Sequence, residues 1–138
     1  MARAFTLLEL IIVVIIVGIL GALGFSRYNK AVEFQRTAEA KAVLSALRTA
    51  EQGYYLQNGA YTSSFEAIGV SAATACESNY YFEYDFEVGP PRVRAHRCTD
   101  GGKTPDNHCA YWNILRLDGT YYSQDCSGVN YEGSWLAW

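Results

Sequence analysis

The sequence predicts an α+β protein: one long N-terminal helix packed on an antiparallel β-sheet of about four strands. Three observations predict it. Phe5 to Phe25 is almost wholly apolar. From Arg27 onward apolar residues recur at helical spacing, with Ala40, Val43, Leu44, Leu47, Ala50 and Tyr54 on one face. Beyond Asn79 the period falls to two, and Tyr80, Phe82, Tyr84, Phe86 and Val88 alternate with Tyr81, Glu83, Asp85 and Glu87. A chain of 138 residues has room for one compact domain plus an extended appendage. Its formal charge of −3 is too mild to draw in nucleic acid by bulk electrostatics, so no nucleic-acid partner is expected.

Phe5 to Phe25 is 21 residues with one charge, Glu9. As a helix rising ~1.5 Å per residue it would be roughly 30 Å long, about the thickness of a bilayer core. The 16 residues from Leu10 to Phe25 carry no polar side chain. A carboxylate in hydrocarbon costs roughly 3 kcal/mol or more unless it is paired, so a plain anchor would avoid one. Glu9 therefore implies a partner in a later, assembled state. Ala2-Arg3-Ala4 has the small residues of a cleavage site, but it precedes the apolar run instead of following it. A cut between Ala4 and Phe5 would remove a short positive leader, residues 1–4, and leave the helix on the mature chain. Arg3 favours a cytoplasmic N-terminus, with the remainder outside. An uncleaved signal anchor is the rival, and hydrophobicity alone does not separate the two.

Residues 4–23, Ala-Phe-Thr-Leu-Leu-Glu-Leu-Ile-Ile-Val-Val-Ile-Ile-Val-Gly-Ile-Leu-Gly-Ala-Leu, resemble the class III signal and N-terminal helix of type IV pilins and pseudopilins. The resemblance runs over roughly residues 3 to 57. It implies that a prepilin peptidase cuts before Phe5 and N-methylates the new amine. It implies a filament-core helix over 5–26, in which Glu9 of one subunit meets the Phe5 amine of a neighbour. Each charge would then relieve the other's desolvation, whereas one left alone in a buried bundle costs ~3–5 kcal/mol. Gly18, Gly21 and Gly24 each weaken a helix by ~1 kcal/mol relative to alanine. They permit close helix packing or local unwinding, and the resemblance implies melting of this stretch on assembly. Two features depart from the pattern. Ala4 stands where glycine is usual, and no proline follows the apolar run.

The implied function is structural. The inner membrane holds the precursor, the assembly machinery stacks copies of the chain helically, and the product is an extracellular pilus for adhesion, twitching motility or DNA uptake. One alternative is a pseudopilin of a type II secretion system. Another is a membrane-anchored binding module that never polymerises.

The stem continues as an amphipathic helix over 27–57, so that Phe5 to Gln57 would form one helix of 53 residues, roughly 80 Å long. Arg36 with Glu39 and Arg48 with Glu51 have ion-pair spacing on a solvated face. Asn58-Gly59 ends the helix, and residues 58–138 form the head. Ser63-Ser64-Phe65-Glu66 has capping-box spacing and predicts a one-turn helix. In the first hairpin, a Gly89-Pro90 loop sets Glu87 opposite Arg92, Asp85 opposite Arg94 and Glu83 opposite His96. A second hairpin pairs Ala110–Leu115 with Thr120–Ser123 around Leu117-Asp118-Gly119. Tyr131 to Trp138 adds a strand or packs over the sheet.

The four cysteines all lie in the C-terminal half, and an even count behind a membrane segment predicts two disulfides in an oxidising compartment. Folding about the second turn brings Cys109 and Cys126 to matching distances and favours that bridge. Cys76 and Cys98 would then pair across the ends of the first hairpin, one of three possible connectivities.

No P-loop, zincin helix or Gly-x-Ser-x-Gly elbow occurs, so no enzymatic activity is expected. His96 and His108 are isolated and the cysteine spacings match no zinc framework, so neither metal nor cofactor is expected. Asp100, Asp106, Asp118 and Asp125 read as loop acids rather than as a calcium site. The aromatic residues fit the inner face of a sheet better than an electron conduit. Tyr121, Tyr122, Trp135 and Trp138 are candidates for surface binding. No Asn-x-Ser/Thr acceptor is present.

Overall fold

The computed structural model describes residues 6–105 and 109–134. Ala4, Phe5, Asp106, His108, Trp135 and Trp138 lie outside the described residues. The chain divides into two units, Met1–Val32 and Glu33–Trp138, and one helix, α1 (Leu7–Asn58), contributes to both.

In the first unit α1 begins just after Thr6. The Thr6 hydroxyl oxygen accepts the Glu9 backbone N–H at 3.2 Å, and the Thr6 carbonyl accepts the first helical N–H, from Leu10. Every large apolar side chain from Leu7 to Phe25 is exposed. Gly18, Gly21 and Gly24 lie within unbroken helix. Among the described residues α1 is the one helix long and apolar enough to cross a membrane, with a mean hydropathy of 2.8 over its most apolar stretch.

In the second unit, the helix from Glu33 onward packs on a five-stranded antiparallel sheet, one strand more than the pattern predicted. The strands are β1 (Phe82–Val88), β2 (Pro91–Arg97), β3 (Trp112–Arg116), β4 (Tyr121–Gln124) and β5 (Asn130–Glu132), and each pairs with its neighbour in sequence. The fifth comes from the segment whose fate the sequence left open. The first hairpin has the expected register: Glu83 opposite His96, Asp85 opposite Arg94, Glu87 opposite Arg92. Alternation decides which face is buried. Phe82, Tyr84 and Phe86 join Val93, Ala95, Tyr111 and Leu115 against Ala40, Leu44 and Leu47 of the helix. Tyr80 and Val88, expected on that face, are about half exposed, because Tyr80 precedes the strand and Val88 is its last residue.

The helix stops where Asn58-Gly59 predicts. Gly59 takes φ +72° and returns its N–H to the Tyr55 carbonyl at 2.8 Å. The one-turn helix expected at Ser63–Glu66 is instead a hydrogen-bonded turn. Ser64, not Ser63, does the capping, with its hydroxyl accepting the Ala67 N–H. Gly69 at φ +67° closes the turn by an N–H bond to Glu66 before a second helical turn can form. Farther on, Ala73 accepts the Tyr84 N–H at 2.7 Å, which ties the connecting segment to the outer edge of β1. The loop after β2 contains a short 3₁₀ turn at Asp100–Gly102.

Candidate functional site

The first candidate is the apolar segment itself. Thr6 and Glu9 stand at capping-box spacing, which gives Thr6 a local reason to be there but leaves the Glu9 carboxylate unexplained. That signal was present in Thr6-x-x-Glu9 and was missed. The cap uses the backbone N–H of Glu9; among the described residues its carboxylate accepts no hydrogen bond. Gly18, Gly21 and Gly24 are equally unexplained from inside the chain. A Cβ built on any of the three would meet nothing within 4 Å. Cleavage and methylation at Ala4 and Phe5, and the Phe5 amine that would face Glu9, lie outside the described residues.

The second unit holds a buried polar anchor that the helical pattern did not reveal. Arg97, fully buried on the inner face of β2, grips Glu33 with two nitrogens, Nε to Oε1 at 2.6 Å and Nη2 to Oε2 at 3.1 Å. The Tyr111 hydroxyl donates to Glu33 Oε1 at 2.8 Å and stands 3.0 Å from the Thr37 hydroxyl. The remaining Arg97 N–H groups go to the carbonyls of Tyr81, Cys98 and Lys103. Burial alone would raise the Glu33 carboxyl, but Arg97, Tyr111 and Arg36 outweigh it and hold Glu33 below the usual carboxylate range. Burial also pushes the Tyr111 phenol up, so it stays a hydrogen-bond donor.

Both helical ion pairs expected from spacing are replaced. Arg36 bonds Glu33 at 3.1 Å rather than Glu39, because Glu33 already lies inside the network. Arg48 turns to the Leu117 carbonyl, joined there by Gln52 at 2.9 Å. Glu51 is fully buried; its Oε2 accepts a long 3.4 Å bond from the Thr62 N–H and its Oε1 accepts none. Burial, opposed only by Thr62, raises its carboxyl above the usual range.

Two disulfides are present, Cys76–Cys98 and Cys109–Cys126. The loop acids inside and beside the second are engaged locally. Asp118 accepts the Thr120 N–H and hydroxyl, and Asp125 accepts the Ser127 N–H and hydroxyl, the Val129 N–H and the Tyr131 hydroxyl. Those contacts, led by the Thr120 and Ser127 hydroxyls, hold both carboxyls low. The candidate binding aromatics fare unevenly. Tyr122 is buried, with its hydroxyl on Arg92 and its ring under Arg116. Tyr121 is half-buried against the core. A pocket of about 300 Å³ opens beside them, lined by Arg116, Thr120 and Glu132 among others.

The outer face of the first hairpin carries a charge ladder. Arg92 and Arg94 both reach Glu87, Arg94 also reaches Asp85, and His96 Nδ1 lies 2.9 Å from Glu83. The His96 ring stacks on Trp112 with centroids 4.1 Å apart.

A long apolar N-terminal helix, an antiparallel sheet against its later half, and disulfides in the head make an α+β arrangement consistent with a pilin-like fold. No protein-family model matches the chain, and no curated protein matches it.

Proposed function

We propose that this chain is a type IV pilin-like subunit that polymerises through its N-terminal helix into an extracellular filament. One observation carries the reading: the apolar first part of α1, whose large side chains are all exposed, is led by a glutamate whose carboxylate finds no partner among the described residues. Apolar surface seeks lipid or other apolar surface, at roughly 25 cal/mol per Å² kept from water. A lipid anchor satisfies the aliphatic side chains but leaves the carboxylate unpaired. A bundle of identical helices with cleaved N-termini satisfies both, because each Phe5 amine supplies the missing cation. The three glycines support the same reading. They cost helix stability and relieve no crowding within the chain, so what they accommodate lies outside it. The inner membrane is then a reservoir, and a prepilin peptidase and an assembly machine are the implied partners. The filament would serve adhesion, twitching motility or DNA uptake.

The test replaces Glu9 by alanine and, separately, by glutamine; both keep the backbone cap, and glutamine removes only the charge. Both variants should reach the membrane fraction at wild-type levels and yield few or no filaments by electron microscopy of sheared cells. Undiminished filament yield from Glu9→Gln would remove the pairing. A wild-type chain that forms no filament would favour the non-polymerising anchor, and filaments confined to the periplasm would favour the pseudopilin.

A further inference from the structure

Cys76, Glu83 and His96 each bring a donor atom within 4.8 Å of the other two. Cys98 stands outside that group of three, but its sulfur is bonded to that of Cys76 and would be released beside it on reduction. In the oxidised protein the sulfurs are poor ligands, and two donors remain. We propose that reducing the Cys76–Cys98 bridge turns this corner of the head into a site for a zinc-class divalent ion. Its ligands are the Cys76 and Cys98 thiolates, one ring nitrogen of His96 and the Glu83 carboxylate.

The donor set is one that zinc takes: two sulfurs, a nitrogen and an oxygen in tetrahedral array. Tetrahedral bonds of that length set ligand atoms about 3.3–3.8 Å apart. The sulfurs must therefore separate from bonding distance, His96 and Glu83 must part slightly from their 2.9 Å contact, and both must close on the Cys76 sulfur by about 1 Å. Cys76, Glu83 and His96 are half-buried and open to solvent, whereas Cys98 is buried, so its thiolate would reach the ion from the inner side.

The corner does not depend on the bridge for its shape. The Cys98 N–H bonds the Tyr81 carbonyl at 2.9 Å. Lys103 Nζ donates to the carbonyls of Glu77 and Tyr80, holding the residue after Cys76 in place. Arg97 grips the Cys98 carbonyl at 2.6 Å. Trp112, stacked on His96, fixes the plane of the imidazole as a supporting residue of a metal site would. The first two cysteines are 22 positions apart in sequence and hide this grouping; the hairpin register assembles it.

The chemistry balances simply. A phosphine reductant takes one water, becomes its oxide and delivers two electrons and two protons to the disulfide. The ion then displaces those two thiol protons. Reduced and metal-loaded forms compete with the bridge, so a chain that meets the ion before oxidation would close Cys76–Cys98 more slowly.

The experiment uses the full chain in detergent micelles, reduced with a phosphine and titrated with cadmium as the probe. Binding is read from the thiolate-to-cadmium charge-transfer absorption in the ultraviolet. The expected result is no absorption in the oxidised protein, and after reduction a saturable site that His96→Ala and Glu83→Gln each weaken at least about tenfold. Both variants keep all four thiols, so binding that they leave unchanged would belong to Cys109 and Cys126 and would overturn the proposal. A reduced chain whose near-ultraviolet circular dichroism is lost and not restored by cadmium would also overturn it. So would the absence of a saturable site.

Discussion

Glu51 shows what a helical wheel conceals. Spacing makes it a solvent-facing partner of Arg48, yet it is fully buried with one carboxylate oxygen unbonded. The pattern did hold the answer. Glu33, Thr37, Ala40, Leu44, Leu47 and Glu51 follow one another at intervals of four and three, so the apolar stripe continues at both ends through polar residues. A search for apolar positions stops where the chemistry changes, although the geometry does not. Glu51 has a measurable consequence. Its carboxyl binds a proton more tightly in the folded state than in the unfolded one, so its contribution is most favourable at acid pH and is lost as pH rises through the raised value. Glu51→Gln should therefore raise the melting temperature of the head at pH 7, by about 1 kcal/mol or roughly 4–8 °C. The gain should fade below about pH 4, where both side chains are neutral. Thermal melts followed by circular dichroism across that range would check it.

Among the elements, the first hairpin was the most legible, because two signals agreed. Alternation assigned the faces, and opposite charges assigned the register. The segment from Gly59 to Tyr81 was the least legible. Its course is set by side chains such as Tyr61, Phe65 and Val70 reaching a core built from distant residues, and by a backbone bond to β1. No local period encodes that. The joint between helix and sheet was equally hidden, since Glu33 and Arg97 are 64 positions apart. Removing one partner strands the other charge. Arg97→Met should cost about 3–5 kcal/mol in urea unfolding of the head, far more than loss of an exposed pair. The Glu33 side of that pair works with the opposite sign to Glu51. A carboxyl held low stabilises the fold above the ordinary carboxylate range, and the benefit disappears as pH falls through the depressed value. The wild-type head should thus lose part of its stability in acid, and the Arg97→Met head should have less of that component to lose.

For the whole molecule, the class was readable because its two halves obey different rules. Uniform apolarity marks the first part of α1, and periodicity marks the rest. The fifth strand stayed one of two readings because Asn130–Glu132 is short and exposed at every position, so burial left no pattern in it. The proposed filament makes a claim about the glycines in the first part of α1. Replacing Gly18, Gly21 and Gly24 together with alanine should strengthen the isolated helix by ~1 kcal/mol per site, since no crowding opposes the added methyls. In the same variant, filament yield should fall. Circular dichroism in micelles and electron microscopy of sheared cells measure the two effects separately, and an increase in both would tell against the glycines serving assembly.

The sheet has a further implication for how the head is made. Its strands pair with their immediate successors in sequence, so each one finds its partner soon after it is synthesised. A meander of this kind can zip from β1 to β5 in the order of synthesis. Docking onto the helix is different, because Glu33 and Arg97, which seal it, lie 64 positions apart. Closure of that seam, rather than strand pairing, is the step that must wait for the greatest length of chain.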